Sequence, residues 1–212
     1  MVSVVIPTFN RATRVMAAVE SVRSQTFGDW ELIVVDDGSE DRTEEEIRRL
    51  GDPRVRCTRI PHGGVSRARN VGIRMSRHPW ICFLDSDDLW ADRKLERQLE
   101  TLEHETECRV VYTNETWIRN GRLLNQKKKH RKYSGWIFRP SLALCLISPS
   151  SVLMHRSVMS EIGLFDESFR LNNAIATMMI LVLGVVFGII TILRVSEKSF
   201  KQTFISMQAT TP

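Results

Sequence analysis

The predicted fold depends on one stretch, I-C-F-L-D-S-D-D-L-W at Ile81 to Trp90. Its apolar residues have the pattern of a buried strand and run directly into Asp85, Ser86, Asp87 and Asp88. Carboxylates this close repel one another, so a fold keeps them beside a core strand when a cation neutralises them. Oxygen ligands in a short turn suit Mg²⁺ or Mn²⁺. The alternative is an acidic surface turn in which Asp87 or Asp88 caps the next helix.

Strand and helix patterns alternate along the first half of the chain. Short apolar runs typical of buried parallel strands occur at Val2 to Ile6, Trp30 to Val35, Val55 to Ile60, Trp80 to Leu84 and Arg109 to Trp117. Apolar residues at helical spacing or charged helical runs lie between these strands. The alternation predicts an α/β fold with a mostly parallel sheet flanked by helices.

Polar loops follow the first four predicted strands, at Pro7 to Asn10, Asp36 to Asp41, Pro61 to Asn70 and Asp85 to Asp88. Ligands of open parallel sheets bind where the strands end at their carboxyl edge, so we expect these loops to gather there. A random acidic turn has no reason to share an edge with three other polar loops. The convergence therefore favours a metal site over a surface turn.

Two of these loops carry further candidate ligand-binding residues. Asp36 and Asp37 can accept hydrogen bonds from a ribose or a base, or Asp36 and Ser39 can simply form the turn and cap the next helix. Arg67 and Arg69 begin a predicted helix just after two glycines, which suits a diphosphate, although a solvated helix face is the alternative for each arginine. We assign no role to His62, because a single loop histidine is more often incidental.

Several function classes are disfavoured. The chain has no G-x-G-x-x-G after its first strand, no G-x-x-x-x-G-K-[ST] and no G-x-S-x-G, so Rossmann, P-loop and serine-hydrolase chemistries lack their motifs. The four cysteines show no C-x-x-C spacing and are predicted to be reduced structural thiols. The net charge is +5, but the basic run at Lys127 to Lys132 lacks interleaved aromatic residues, so we expect no nucleic-acid partner.

Five motifs in order resemble those of the family-2 glycosyltransferases, which have the GT-A fold. They are V-S-V-V-I-P-T-F-N at Val2 to Asn10, S-V-R-S-Q-T at Ser21 to Thr26, W-E-L-I-V-V-D-D-G-S at Trp30 to Ser39, G-V-S-R-A-R-N-V-G at Gly64 to Gly72 and F-L-D-S-D-D at Phe83 to Asp88. A sixth, I-G-L-F-D-E-S-F at Ile162 to Phe169, resembles the segment leading into the family's acceptor site. The resemblance covers Val2 to Arg170.

This resemblance implies a UDP- or GDP-sugar as donor and a saccharide, glycolipid or lipid phosphate as acceptor. Pro7, Thr8 and Asn10 would line the nucleotide pocket, and Asp37 would hold the base. Asp85 would lie near the ribose, and the D-x-D spacing implies that Asp85, Asp87 and Asp88 lie at a Mg²⁺ or Mn²⁺ ion that bridges the diphosphate. The family generally inverts configuration at the sugar, which requires a carboxylate base on the acceptor side.

The expected base is missing from the sequence. In the family it follows the F-D-E-S-F segment closely, but no carboxylate occurs between Glu167 and Glu197. Asp166 and Glu167 are the only nearby acids and do not match the position of the base, so the catalytic residue stays unassigned. The alternative functions are a catalytically inactive or truncated membrane-associated protein that binds a nucleotide sugar, and a membrane protein whose soluble part serves only for interaction.

The end of the chain predicts a hydrophobic helix. Ala174 to Leu193 is a run of 20 uncharged, mostly apolar residues, long enough to cross a bilayer, with a buried core helix as the alternative. We therefore expect a nucleotide-sugar-binding half at 1–117, a partial acceptor-side region at 118–170 and a possible transmembrane tail at 171–212. No signal peptide opens the chain, so the expected location is the cytoplasmic face of a membrane. The basic run Lys127 to Lys132 could face anionic lipid or a lipid phosphate, but a solvated loop is the favoured interpretation.

Overall fold

The computed structural model describes residues 1–124, 132–134, 147–168, 192–194 and 204–207. Five α-helices occur in these residues: α1 Ala12–Arg23, α2 Thr43–Arg49, α3 Val65–Met75, α4 Lys94–His104 and α5 Arg156–Ile162. The first strands are β1 Val2–Thr8, β2 Trp30–Asp36, β3 Val55–Arg59, β4 Trp80–Phe83, β5 Asp88–Trp90 and β6 Val110–Tyr112. The later strands are β7 Thr116–Arg119, β8 Arg122–Leu124, β9 Val152–His155, β10 Ile192–Arg194 and β11 Phe204–Met207.

The main sheet is mostly parallel, as predicted. Its strand order is β10-β6-β9-β4-β1-β2-β3, and a smaller sheet has the order β5-β11-β7-β8. Strands β4, β1, β2 and β3 are parallel neighbours, so their carboxyl ends lie at the same edge. Strand β9 runs antiparallel to both β4 and β6. Strand β6 therefore runs in the same direction as the four parallel strands.

Helices cover both faces of the sheet because its central strands are apolar on both sides. Every residue of β1 and β2 is buried. Val4 and Ile6 belong to the core cluster that includes the buried face of α1, whereas Val5 lies in the cluster on the opposite face. Helix α3 packs very close to β1, since a Cβ atom added at Gly72 would lie 2.2 Å from Cγ1 of Val5. Gly72 thus allows a close approach of helix and sheet.

The prediction of a single fifth strand at Arg109 to Trp117 is wrong. The segment forms β6 in the main sheet and β7 in the smaller sheet. Between them the backbone N–H of Thr113 donates to the carbonyl of Ser151, at 3.2 Å. Glu115 lies buried in an ion pair with Lys132, at 2.6 Å. Two polar residues with partners outside the sheet interrupt the run and turn the chain into the second sheet.

Most of the predicted hydrophobic helix at Ala174 to Leu193 lies outside the described residues. Its last two residues, Ile192 and Leu193, are in β10 and pair with Val110 and Val111, so the helix prediction is wrong there. Across the parts of the chain that the structure describes, no helix has the length and apolar character needed to cross a membrane. The expected domain boundary after residue 117 falls inside β7, and the one after residue 170 lies outside the described ranges.

A fully buried lysine joins α4 to the sheet. Lys94 Nζ donates to Gln98 Oε1 at 2.7 Å and lies 3.9 Å from the centroid of the Trp90 ring. The Gln98 amide donates to the carbonyls of Val111 and Ser151, at 3.2 and 2.9 Å. Burial lowers the pKa of Lys94 from 10.5 to about 8. The charged form of Lys94 is therefore disfavoured in the folded chain.

This pKa shift predicts a pH-dependent stability. Between pH 8 and the unfolded pKa of 10.5, the unfolded chain holds more protons at Lys94 than the folded chain, so stability rises with pH. We expect the free energy of unfolding of the wild type, relative to Lys94→Met, to increase from about pH 7.5 to about pH 9.5 in urea titrations. Lys94→Met also removes the hydrogen bond to Gln98. This loss lowers the free energy of unfolding by the same amount at both pH values, so it does not affect the change with pH. An unchanged or smaller difference at the higher pH would contradict the prediction.

Candidate functional site

The loops after β1 and β2 are joined by reciprocal hydrogen bonds at the carboxyl edge of the sheet. The Asn10 backbone N–H donates to Ser39 Oγ at 2.8 Å, and the Glu40 N–H donates to Asn10 Oδ1 at 2.8 Å. Asn10 has a φ of 51°, a left-handed conformation that asparagine adopts more readily than most residues. Asn10 therefore shapes the loop and holds it against the neighbouring one.

Asp37 joins the second loop to the third. The residue is 3% exposed, and its two carboxylate oxygens accept the backbone N–H groups of Gly63 and Gly64, at 2.9 and 2.8 Å. His62 Nδ1 also lies 2.9 Å from Asp37 Oδ2. Asp37 thus fixes the loop that leads into α3, and its role towards a base stays a prediction.

A stacked aromatic pair stands beside an open pocket at this edge. Phe9 is 40% exposed, and its ring centroid lies 4.2 Å from that of His62, with 27° between the ring planes. The pocket has a volume of about 440 Å³ and is lined by Gly38, Arg59, Ile60, Pro61 and His62. This arrangement offers both a flat apolar ring surface and an adjoining cavity.

Pro7 and Thr8 are the last residues of β1 and are buried. The Thr8 hydroxyl has no hydrogen-bond partner among the described residues, which is costly for a buried polar group. Arg67 is in the first turn of α3, and its side chain lies over Gly63, where an added Cβ would be 2.4 Å from Arg67 Cδ. Gly63 therefore makes room for the arginine.

Asp85 pairs with a buried arginine of α3. Arg69 is fully buried, and its Nη2 donates to Asp85 Oδ1 at 2.5 Å. The side chain of Asp85 is 20% exposed. The Nε and Nη1 groups of Arg69 have no hydrogen-bond partner among the residues that the structure describes. Asp85 is thus the carboxylate that compensates a buried cation.

The other two acidic residues have different partners. Asp88 is buried at the start of β5 and accepts a hydrogen bond from Ser150 Oγ at 2.7 Å. The same Ser150 hydroxyl accepts the backbone N–H of Asp85 at 3.0 Å, so it closes the acidic turn. Asp87 pairs with Arg11 at 2.9 Å, and these side chains are 29% and 43% exposed. Of the three carboxylates, Asp87 has the most exposed side-chain partner.

The predicted three-carboxylate metal site is not preformed. Within the described ranges, no three His, Cys, Asp or Glu side chains form a group that could hold a metal ion. Asp85, Asp87 and Asp88 instead point to Arg69, Arg11 and Ser150. The residue that still fits a hard divalent cation is Asp87, since its carboxylate oxygens are partly exposed and its arginine partner can move into solvent.

The segment that the family resemblance predicts to lead into the acceptor site lies against the same helix that holds Asp85. The Phe165 backbone N–H donates to Asn70 Oδ1 at 2.9 Å, and Asn70 Nδ2 donates to Glu167 Oε1 at 2.8 Å. Asp166 instead accepts hydrogen bonds from Ser168, which lower the pKa of its carboxyl. Neither acid is identified as the catalytic base, which stays unassigned.

Sequence patterns missed several residues of this edge. Ser150 and Arg11 come from other parts of the chain, and no local signal marks them as partners of the acidic turn. Phe9 and Asn70 lie inside the quoted motifs. These motifs indicate that both residues are near the site, but they do not indicate what either residue contacts. His62, to which the sequence assigned no role, both stacks on Phe9 and contacts Asp37.

A parallel sheet with interlocked polar loops at its carboxyl edge is the arrangement in which open α/β domains bind their ligands. The family model described as "Glycosyl transferase family 2" matches residues 3–163. The chain belongs to glycosyl transferase family 2.

Curated relatives support the same family. A protein of Rickettsia bellii named as a glycosyltransferase is 34% identical over 173 residues, which cover 80% of this chain and 24% of that protein. The Escherichia coli protein WfgD, named as a UDP-Glc:alpha-D-GlcNAc-diphosphoundecaprenol beta-1,3-glucosyltransferase, is 29% identical over 161 residues, covering 76% of this chain and 62% of WfgD. The chain thus spans less than two thirds of the length of these relatives.

Solved structures of the Staphylococcus aureus protein TarS share the fold. TarS 1-349 superposes with a TM-score of 0.78 at 20% identity, covering 97% of this chain and 60% of TarS 1-349. The TarS 1-349 complex with UDP-GlcNAc has a TM-score of 0.77 and covers 100% of this chain and 59% of that one. At this identity the likeness concerns the fold, which confirms the predicted GT-A-like α/β architecture.

Proposed function

We propose that the chain is the donor-binding part of an enzyme that transfers a sugar from a UDP-sugar to a saccharide or lipid-linked acceptor. The observation that carries this proposal is the interlocking of four loops through Asn10, Asp37 and the Arg69–Asp85 pair. The name of WfgD includes UDP-Glc, and a TarS structure contains UDP-GlcNAc, which favours UDP over GDP as the nucleotide.

The residues of this edge would divide the donor between them. The base would lie near Asp37, with the exposed Phe9 ring and the adjoining pocket as an apolar surface. The buried Thr8 hydroxyl, which lacks a partner among the described residues, would donate to the nucleotide. Arg67, at the start of α3, would neutralise part of the diphosphate charge. Pro7 and Asn10 would shape the loop around it.

Asp87 would hold a Mg²⁺ or Mn²⁺ ion together with the diphosphate of the donor. Such an ion supplies charge stabilisation to a departing diphosphate. For this, Arg11 has to release Asp87, which costs little because the pair is partly exposed. Asp85 would keep its position near the ribose through Arg69, and Asp88 would hold the turn through Ser150.

The acceptor and the location are further parts of the proposal. The name of WfgD describes a diphosphoundecaprenol-linked acceptor, and the run Lys127 to Lys132 is basic enough to attract a lipid phosphate. We therefore propose a lipid-linked acceptor at the cytoplasmic face of a membrane. A second candidate function is binding of the donor without transfer. It is favoured because the acids Glu161, Asp166 and Glu167 already bind other residues of the chain. Sustained release of UDP in the presence of acceptor would exclude it.

Calorimetry with UDP and Mn²⁺ tests donor binding. We expect the wild type to bind, and Asp87→Asn to weaken metal-dependent binding by about tenfold or more, or about 1.4 kcal/mol. Asp29→Asn is the matched control, because Asp29 is an exposed carboxylate just before β2, at the opposite edge of the sheet. GDP should bind more weakly than UDP. Absence of UDP binding by the wild type with Mn²⁺ present would refute the proposed function.

A further inference from the structure

The side chain of Asn70 binds the backbone of Phe165 in the way that a neighbouring strand would. Asn70 is 2% exposed, and its side chain binds both backbone groups of Phe165: the Phe165 N–H donates to Oδ1 at 2.9 Å, and Nδ2 donates to the Phe165 carbonyl at 2.8 Å. The second hydrogen of Nδ2 reaches Glu167 Oε1 at 2.8 Å. An asparagine side chain has two N–H donors and an acceptor oxygen. Asn70 uses both donors and the acceptor on one segment. Such a buried carboxamide fixes a backbone position.

The residue next to Asn70 connects the same segment to the donor side. The Arg69 guanidinium lies 5.5 Å from the centroid of the Phe165 ring, and its Nη2 binds Asp85. Phe165 also packs edge-on against Phe83, the last residue of β4, at 5.3 Å between centroids. Phe165 is therefore held both by α3 and by the strand that leads into the acidic turn.

Helix α3 cannot easily shift when either Asp85 or Phe165 changes position. Gly72 packs against Val5 of β1 at the limit of close approach, and the buried side chains of α3 include Arg69 and Asn70 themselves. Well-packed interiors transmit displacements instead of absorbing them. The distance between Asp85 and the backbone of Phe165 is thus set by two adjacent residues on one fixed helix.

We propose that Asn70 is a positioning residue that aligns the segment from Gly163 to Ser168 with the donor site. The proposal rests on the proposed function, since the segment matters for transfer only if a nucleotide sugar binds beside Asp85. Transfer requires the acceptor oxygen within about 3.5 Å of the reacting carbon, and a misplacement of about 1 Å can cost about a hundredfold in rate. Asn70 acts on this alignment through Phe165 and Glu167 and touches neither substrate.

Hydrogen exchange in Asn70→Asp tests the proposal. The aspartate keeps the shape of the side chain, but its oxygens repel the Phe165 carbonyl and the Glu167 carboxylate where the amide donated to them. We expect exchange of the amides at 165–168 to speed up by about tenfold or more, while the amides of β1 and β2 keep their protection. UDP and Mn²⁺ should still bind Asn70→Asp within about twofold of the wild-type affinity.

Coupling between the donor site and the segment 163–168 distinguishes a positioning role of Asn70 from a purely structural one. UDP with Mn²⁺ should slow exchange at 165–168 in the wild type, and this additional protection should be absent in Asn70→Asp even when the variant is saturated with UDP. Protection that responds to UDP equally in both proteins would overturn the proposal. So would a loss of UDP affinity that parallels the loss of protection.

Two matched variants complete the test. Glu167→Gln should behave like the wild type, because Gln can still accept from Asn70 Nδ2. Added to Asn70→Asp, it should restore part of the protection, since Gln donates to the new carboxylate.

If Asn70→Asp does not fold, Asn70→Ser gives the same readout, because its hydroxyl cannot bind both backbone groups of Phe165. If the wild type fails to bind UDP, the proposed function falls, whereas exchange in the free proteins still decides whether Asn70 holds the segment.

Discussion

Asp85→Ala is expected to lower the free energy of unfolding by about 3–5 kcal/mol, the usual cost of breaking a buried ion pair by removing one partner. Arg69 is fully buried, and its remaining Nε and Nη1 groups have no partner in the described part of the chain. Without Asp85 the guanidinium keeps its charge and loses its carboxylate. Urea unfolding monitored by circular dichroism measures the effect.

Asp87→Ala is the matched comparison for this prediction. Its partner Arg11 is 43% exposed and becomes hydrated when the carboxylate is removed, so we expect a loss below about 1 kcal/mol. The double variant Arg69→Met, Asp85→Ala should recover much of the stability, because no buried charge is left. Equal losses in the two single variants would contradict the prediction. Asp85→Ala therefore changes stability and ligand binding together, whereas Asp87 variants report on the ligand in a chain of nearly wild-type stability.

Gly72→Ala is the second substitution with a large expected effect. Alanine favours a helix over glycine by about 1 kcal/mol, so propensity alone predicts stabilisation. The added Cβ would, however, lie 2.2 and 2.9 Å from the two γ carbons of Val5, a stiff β-branched residue in the middle of β1. Overpacking of this kind costs about 1–3 kcal/mol, occasionally more. We expect a net destabilisation of about 2 kcal/mol in urea unfolding.

Gly28→Ala is the control for the overpacking argument. No atom lies within 4 Å of a Cβ added at Gly28, and its backbone is not in the left-handed region. Its substitution should change the free energy of unfolding by less than about 0.5 kcal/mol. If Gly72→Ala were as stable as the wild type, the close approach of α3 to β1 would be wrong. That result would also weaken the role of α3 as a fixed support for Asn70.

The central strands could be predicted because parallel strands are buried on both faces and therefore show as continuous apolar runs. The run Trp30 to Val35 became β2 at Trp30–Asp36, and Val55 to Ile60 became β3 at Val55–Arg59. Strand β9 was missed, since it is only four residues long and its partners are much earlier in the chain. Local patterns carry no information about such distant pairing.

The meeting of the four loops could also be predicted from strand direction, but the pairing of their side chains could not. Asp85, Asp87 and Asp88 are close in sequence, and this spacing predicts one metal cluster. In the folded chain each carboxylate of this turn finds a partner on a different element. The number of acids in a turn therefore says little about how many remain for a cation, because that depends on residues brought in by tertiary structure.

The antiparallel course of β9 brings the two ends of a long connection to neighbouring positions in the sheet. Because Tyr112 at the end of β6 is paired with Val152 at the start of β9, the chain leaves the sheet and returns to it at neighbouring positions. Changes in length between these two anchors leave the pairing of the sheet intact, and longer closed loops cost little extra entropy. Insertions can thus be accommodated within this connection if they spare β7, β8 and Ser150, which closes the acidic turn. The nucleotide side then keeps its geometry.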